Sequence, residues 1–489
     1  MLFVCLAAIW LTGFGLVRWM FPRPLGWSLH NALLLSLGIG AGAGIASCLY
    51  FLSLVLAGPN FTVLASVTGG AAIAGLVFGL LTRRQGTLLA WAEGPDVPDV
   101  PWYFRGLFLL AIALAVTSFL VAVSNNPHGD QGAWSMWNLR ARFLFRAGAF
   151  WRDAFSNDLG WSHPDYPLLL PGLVALCWKL AGQESTGAPI AIAFLFALAT
   201  AGVLTGVLGV LRGKTPALVG GTLLLGTASY IALSAAEYGD VPLSFYILAT
   251  LALLCLQDRH PEDLRFSALA GLMAGFAAWT TNEGIIFLAA VIVARVVATV
   301  RFRGRSGPTA LAPEMLWLIA GLAAPLAVVI LFKLRVGGAS DFWSEKPALV
   351  LQHLADPGRW IVTAQGLVIV LFALGRFLIS IVAVLALYWY LVRFKVQDSR
   401  DRAGLATAAI ALGLTLAIRL LGDILFAGNL VIEIATSFER VVLQLWPAGV
   451  FLFFLASGPL QLTAAEKPAP RNKTSRKALK PSRRAAETH

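Results

Sequence analysis

Charge is what this chain of 489 residues has least of. Asp, Glu, Lys and Arg together make up 13% of it, against roughly 25% in a soluble domain. With 58% hydrophobic residues and a mean hydropathy of +0.77, the chain could not cover itself against water. No polar stretch is long enough to be a soluble domain. Cysteine is scarce as well. Cys5, Cys48, Cys177 and Cys255 lie in apolar runs without metal-ligand spacing and read as small core residues. There is no phosphate-binding P-loop, no dinucleotide fingerprint and no His-rich metal motif, so nothing suggests a nucleotide-driven pump.

What the chain does have is apolar runs long enough to cross hydrocarbon, about 20 residues each. They fall near residues 2–17, 32–56, 62–81, 104–123, 189–211, 217–235, 241–256, 266–280, 285–300, 315–334, 361–392, 405–426 and 441–457. The first has no basic region before it and reads as a span, not a removed signal peptide. Run 361–392 is long for one crossing, which predicts tilt or a kink at Gly375-Arg376.

The net charge is +12. Its Lys and Arg sit in short loops and in the tail from Lys467 to Arg484, so the positive-inside rule accounts for them and nucleic acid is not the expected partner. Arg83-Arg84, Arg212 with Lys214, Arg259, the cluster Arg301, Arg303 and Arg305, and the set Arg393, Lys395, Arg400 and Arg402 are expected in the cytoplasm. The tail lacks apolar periodicity and is expected to be disordered there, drawn weakly to anionic headgroups. This orientation is consistent if segment 166–181, with Pro167, Pro171 and Lys179, dips into the membrane and returns, or lies along it. The expectation is an all-α, polytopic transmembrane helical bundle of about 13 spans in a cytoplasmic membrane, C-terminus inside. Four regions follow: N-terminal hairpins (1–102), a core (103–300) with an external loop (125–165), C-terminal helices (301–462) and the tail (463–489).

The same orientation gathers acids on the non-cytoplasmic face: Asp130 and Asp165 in the long loop, then Glu237, Asp240 and Glu283, and the stretch from Asp423 to Arg440. Acids at span ends are costly to leave in lipid and are functional candidates. In the loop, Trp134, Trp137, Phe143, Phe145, Phe150, Trp151 and Phe155 alternate with Arg140, Arg142, Arg146 and Arg152. That spacing predicts an amphipathic interfacial helix with aromatics toward acyl chains. An anchor gains nothing from Asp130. The forks of Arg140 and Arg142 suit a lipid phosphate, or simple headgroup contact. Glu237 and Asp240 would share a side on a helical turn, and Asp240 before Val241-Pro242 also suits an N-cap. Thr281-Asn282-Glu283-Gly284 reads as a tight turn, with Glu283 the residue able to do more. Sequon matches at Asn60 and Asn472 arise easily by chance.

A span leading into a loop that opens on Asp130, interfacial aromatics and arginines, the Tyr166-Pro167 re-entry, then YGDVPLSFYILATLALL and WTTNEGIIFL form an ordered pattern. It resembles the GT-C fold of membrane glycosyltransferases, which includes the protein O-mannosyltransferases, the lipid A aminoarabinose transferase and the oligosaccharyltransferase catalytic subunit. The resemblance covers roughly residues 104–300. It implies inverting transfer of a sugar from a polyprenyl-phosphate donor to a glycan, lipid or protein acceptor on the external face. Asp130 would be the general base, and Arg140, Arg142 and His163 would hold the donor phosphate. Glu237, Asp240, Asp165 and Glu283 would position the acceptor or hold a divalent cation, magnesium or manganese. Three departures stand out: Asp130-Gln131 stands where several relatives have an acidic pair, the Lys before the re-entering prolines has no exact counterpart, with His163 or Arg142 the candidates to serve, and three spans precede Phe104, where the family module usually begins. The rival reading is a transporter or lipid flippase, which predicts inverted repeats and mid-span charges. No repeat is evident, and Lys179 and Arg419 are the main mid-span charges. A scaffold without chemistry would not need Asp130.

Overall fold

Apolar sequence in a membrane must satisfy its own backbone, and the helix is the way one segment does so. The computed structural model describes residues 1–21, 30–83, 100–303, 307–338, 347–374, 381–392, 401–426 and 428–457. The expected kink at Gly375-Arg376, the basic tail, Arg84, Arg305, Arg393, Lys395 and Arg400 lie outside the described residues. Among the described residues the chain is all-helical with no strand.

The helices run in this order: α1 (Leu2–Met20), α2 (His30–Ala57), α3 (Phe61–Arg83), α4 (Trp102–Asn125), α5 (Asn138–Arg146), α6 (Leu169–Ala181) and α7 (Gly187–Arg212). Then come α8 (Lys214–Leu225), α9 (Ala228–Ala235), α10 (Asp240–Arg259), α11 (Arg265–Thr280), α12 (Asn282–Phe302) and α13 (Gly307–Arg335). The last five are α14 (Pro347–Ala355), α15 (Pro357–Ala373), α16 (Ile381–Val392), α17 (Asp401–Phe426) and α18 (Leu430–Ala456). Among the described residues ten helices are long and apolar enough to cross a membrane, or eleven if α8 and α9, bent by 60°, form one broken span. The multi-pass membrane architecture therefore holds. The shorter α11 still joins the two ends of the bundle: Phe266 packs on Phe21 and His260 at one, and Thr281 precedes Asn282 at the other.

The core is centred on α10, which is wholly enclosed by its neighbours. The outer helices keep their large apolar side chains outside: Leu109 and Leu114 on α4, Val293 and Val297 on α12, Ile319 and Ile330 on α13. A belt of that kind is stable against lipid and a liability in water. Small residues allow close crossings. A Cβ on Gly42 would lie 2.0 Å from the Ile9 carbonyl oxygen, so α1 and α2 touch backbone to backbone.

Polar residues collect at the two ends. At one, Arg212, Arg259 and Asp401 meet, as do Asp258, Arg295, Arg303 and Glu314. This is the paired end. At the other lie residues 126–168, here the loop end. Both ends of α6 border it: the helix begins directly after Leu168, and near its other end Trp178 packs edge-on to Phe145 of α5. With 13 residues, α6 does not reach the paired end.

The loop departs from a single interfacial helix. It is built of a π turn at Ala133–Trp137, α5, and two 3-10 segments, Gly148–Phe155 and Asn157–Ser162. Trp137, Trp151 and Phe155 are buried in protein, not set toward acyl chains. Phe155 packs on Phe332 and Trp137 on Tyr166. Packing against the bundle removes more of their surface than a half-immersed interface would. Trp134 and Phe150 remain exposed.

Candidate functional site

The loop end unites stretches that are far apart in sequence. The turn between α9 and α10 is its hinge. Glu237 adopts φ +60°, a left-handed conformation that a non-glycine residue holds only when its surroundings enforce it. The enforcement is visible. Gly129, itself at φ +71°, packs so tightly that a Cβ there would sit 2.7 Å from the Ala236 carbonyl oxygen and 3.1 Å from the Glu237 Cβ. The Asp130 amide donates to that carbonyl at 3.3 Å, and the Gly132 amide donates to the Tyr238 hydroxyl at 3.1 Å. Asp130 is thus held by its backbone while its carboxylate is exposed, accepting only the neighbouring Gln131 amide among the described residues.

Glu237 and Asp240 do not share a side. Glu237 turns toward the loop and accepts from the Asn138 amide at 2.9 Å, and its Oε1 has no partner among the described residues. Burial pushes its carboxyl up to about 7, against the opposing pull of the Asn138 bond and of Arg142. Asp240 turns toward α18, where it accepts from Arg440 at 3.0 Å and Gln444 at 2.6 Å. It makes no capping bond, since Gly239 holds the cap position and Asp240 opens the first turn. The left-handed residue between two helices is what turns the two carboxylates apart.

Asp165 and Glu283 form the floor on the other side. Asp165 is buried and accepts from Asn282 at 2.6 Å, with Lys333 3.6 Å away. Lys333 also donates to the Asp165 carbonyl and to Asn282. The Tyr166 hydroxyl donates to Glu283 at 3.2 Å. Burial, reinforced by Glu283, holds that phenol well above its ordinary range. The predicted turn is present, with Thr281 capping α12 through the Gly284 amide.

The residues expected at a phosphate separate. Arg140 is wholly buried and donates to the Tyr166 and Ser162 carbonyls at 2.9 Å each, over the Trp137 ring. Burial lowers its guanidinium to about 10, opposed by Asp165. It clamps the loop. His163 is exposed and packs at a tilt beside Tyr166. Arg142 lines open space, 3.8 Å from the Glu184 carboxylate. It borders a 240 Å³ cavity with His128, Asn138, Trp178, Glu184 and Pro189, and an adjoining 430 Å³ groove with His128, Gly129 and Trp134. One or two turns further along α7 and α6 opens an apolar cleft of 340 Å³ between α1, α2, α6 and α7, walled by Leu6, Trp10, Leu173, Ile192 and Phe196. The polar cavity and the groove share Pro127, His128 and Arg142 and end at Gly129, next to Asp130, while the apolar cleft has its own lining further along α6 and α7.

The donor set does not fit a metal ion. Among the described residues no three His, Cys, Asp or Glu side chains come together to hold one. Both Asp240 oxygens are engaged by Arg440 and Gln444, and Glu237 faces away. Sequence reasoning did not single out Lys333, Arg440 or Tyr238 as site residues. Their signal was a basic or aromatic residue at a span end on the acidic face, but nothing in sequence distance ties them to the loop. No protein-family model matches the chain, and neither does any curated protein or solved structure.

Proposed function

We propose that the protein is a membrane glycosyltransferase, GT-C-like, that moves a sugar from a polyprenyl-phosphate donor to an acceptor at the loop end, and that this end faces away from the cytoplasm. The observation that carries the reading is the polar cavity and groove that run past Arg142 to the exposed carboxylate of Asp130, with an apolar cleft further along α6 and α7. A ligand with a hydrocarbon tail, an anionic group and a polar head matches that set. The tail lies between α1 and α7, where burial of apolar surface favours it. Arg142 takes the phosphate through a charge-assisted bond. Asp130 receives the proton as the acceptor oxygen bonds to the anomeric carbon. The bond from that carbon to the phosphate oxygen breaks, and the electron pair leaves with the phosphate. One displacement inverts configuration. Arg140, with its nitrogens on loop carbonyls, positions the loop and does not touch the phosphate.

The topology follows the same reading. Counting α8 with α9, α11, and α15 with α16 as one crossing each gives thirteen spans, with α6 returning to the face it left. Arg212, Arg259 and Arg303 then face the cytoplasm, as the positive-inside rule requires.

The test is transfer in membranes from a panel of radiolabelled polyprenyl-phosphate sugars, comparing wild type with Asp130→Asn. Transfer by wild type that vanishes in the folded variant supports both the activity and the base. Transfer unchanged in the variant keeps the activity and removes Asp130 from it. Absence of transfer from every donor favours a transporter or flippase.

A further inference from the structure

Arg440 is set for a partner that the chain does not itself supply. Its Nε and one terminal nitrogen rest on the buried Asp240 carboxylate at 3.3 and 3.0 Å, and Gln444 fixes the other Asp240 oxygen at 2.6 Å. The guanidinium lies 4.7 Å over the Tyr238 ring. Those contacts fix its plane, while the side chain stays 36% exposed and Nη1 has no partner among the described residues. A structural ion pair needs no exposed edge, whereas an immobilised fork with a free edge is what binds an oxyanion with little ordering cost. The place matters as well. Tyr238, under Arg440, bonds through its hydroxyl to the Gly132 amide, two residues beyond Asp130. Asp130 and Arg440 both act on that phenol electrostatically. The Arg142 cavities lie on the Glu237 side of the same turn, so a ligand at Arg440 would be distinct from one at Arg142.

Resting on the transferase reading, we propose that the acceptor carries an oxyanion, a phosphate group, and that Arg440 binds it so that a neighbouring hydroxyl meets Asp130. The phosphate can belong to a soluble molecule or a lipid headgroup, and the chemistry at Arg440 is the same.

The test measures binding, not transfer. The full chain in phosphatidylcholine nanodiscs is titrated with inorganic phosphate, read by phosphorus-31 line broadening, and with phosphatidic acid, read by native mass spectrometry. The comparison variants are Arg440→Lys and the double variant Arg440→Gln with Asp240→Asn. The double variant removes both charges and avoids leaving a buried carboxylate alone. Expected is binding by wild type, weaker binding by Arg440→Lys, and a loss of about tenfold or more in the double variant, the scale of one charge-assisted bond. Broadening by free phosphate alone marks a soluble source, and adducts with phosphatidic acid mark a lipid. The proposal is overturned if the folded double variant binds both probes as wild type does, or if Arg142→Gln abolishes binding that the double variant retains. Binding at Arg440 without transfer from any donor would remove the transferase and leave this site standing. Transfer untouched in the double variant would do the reverse.

Discussion

At the paired end, Arg295 gives its nitrogens to Asp258 and Glu314, and Arg303 bonds the same two acids, so two cations meet two anions in full contact. At the loop end, Glu237, Glu283 and Asp423 each keep one buried oxygen without a partner among the described residues. Both ends bury charge at span termini, and a hydropathy profile cannot tell them apart. The difference lies in completion. A closed quartet holds α10, α12 and α13 together and has nothing left to offer. Unmatched acceptors are costly in a fold that serves stability alone, which is why the proposed ligand is placed at the loop end.

Variants can break this contrast. The largest effect is expected at the paired end: Arg295→Met leaves Asp258 and Glu314 with Arg303 alone and should cost about 3–5 kcal/mol, seen as loss of monodisperse protein and a lowered thermal midpoint. Asp130→Asn should do the opposite, lowering transfer by roughly 10²–10⁴-fold without moving the midpoint. If it destabilises like Arg295→Met, the two ends are not different in kind. Gly129→Ala places a Cβ 2.6 Å from that of Ala133 at φ +71° and should cost about 1–3 kcal/mol, with proteolysis of the loop as the readout. Glu237 sharpens the comparison through pH. Its carboxyl is raised to about 7 in the fold, so between its ordinary value of 4.5 and 7 the folded state binds more protons than the unfolded one. Stability from this group is present at low pH and lost as pH rises through 7. Glu237→Gln should flatten that part of the stability profile, and an unchanged slope would refute the assignment. The smallest effect belongs to Tyr166→Phe, which removes one hydroxyl from Glu283 and should cost about 0.5–1.5 kcal/mol.

How much of this could be read from sequence depends on distance along the chain. Apolar runs are local, so the helical bundle and the two polar faces were legible. That segment 166–181 forms only a short apolar helix was legible too, from its prolines and its length. The convergence of Asp130, Glu237 and Glu283 on one end followed from alternating topology. Which carboxylate faces which partner did not follow. That is decided by the left-handed backbone at Glu237, which turns it toward Asn138 and leaves Asp240 to Arg440, 200 residues away. Periodicity misplaced Trp137, Trp151 and Phe155, which are buried in protein, but not Trp134 and Phe150, which are exposed: spacing does not tell whether protein or lipid covers a ring. Arg140 looked like its neighbour Arg142 because the two differ only in burial.

Helix α6 carries a consequence for how the molecule is made. Thirteen residues span about 20 Å as helix, short of the roughly 30 Å of hydrocarbon. Such a segment is shorter than a full crossing ordinarily needs. Its seat lies against α2, already synthesised, and beside α7, which is still to come. A nascent chain stopped after Ala181 would therefore already offer α1, α2 and α5 to seat α6, but the cleft that it helps to wall would close only once α7 arrives. The cleft is then the product of an order of assembly, its last wall supplied by a helix made after the loop.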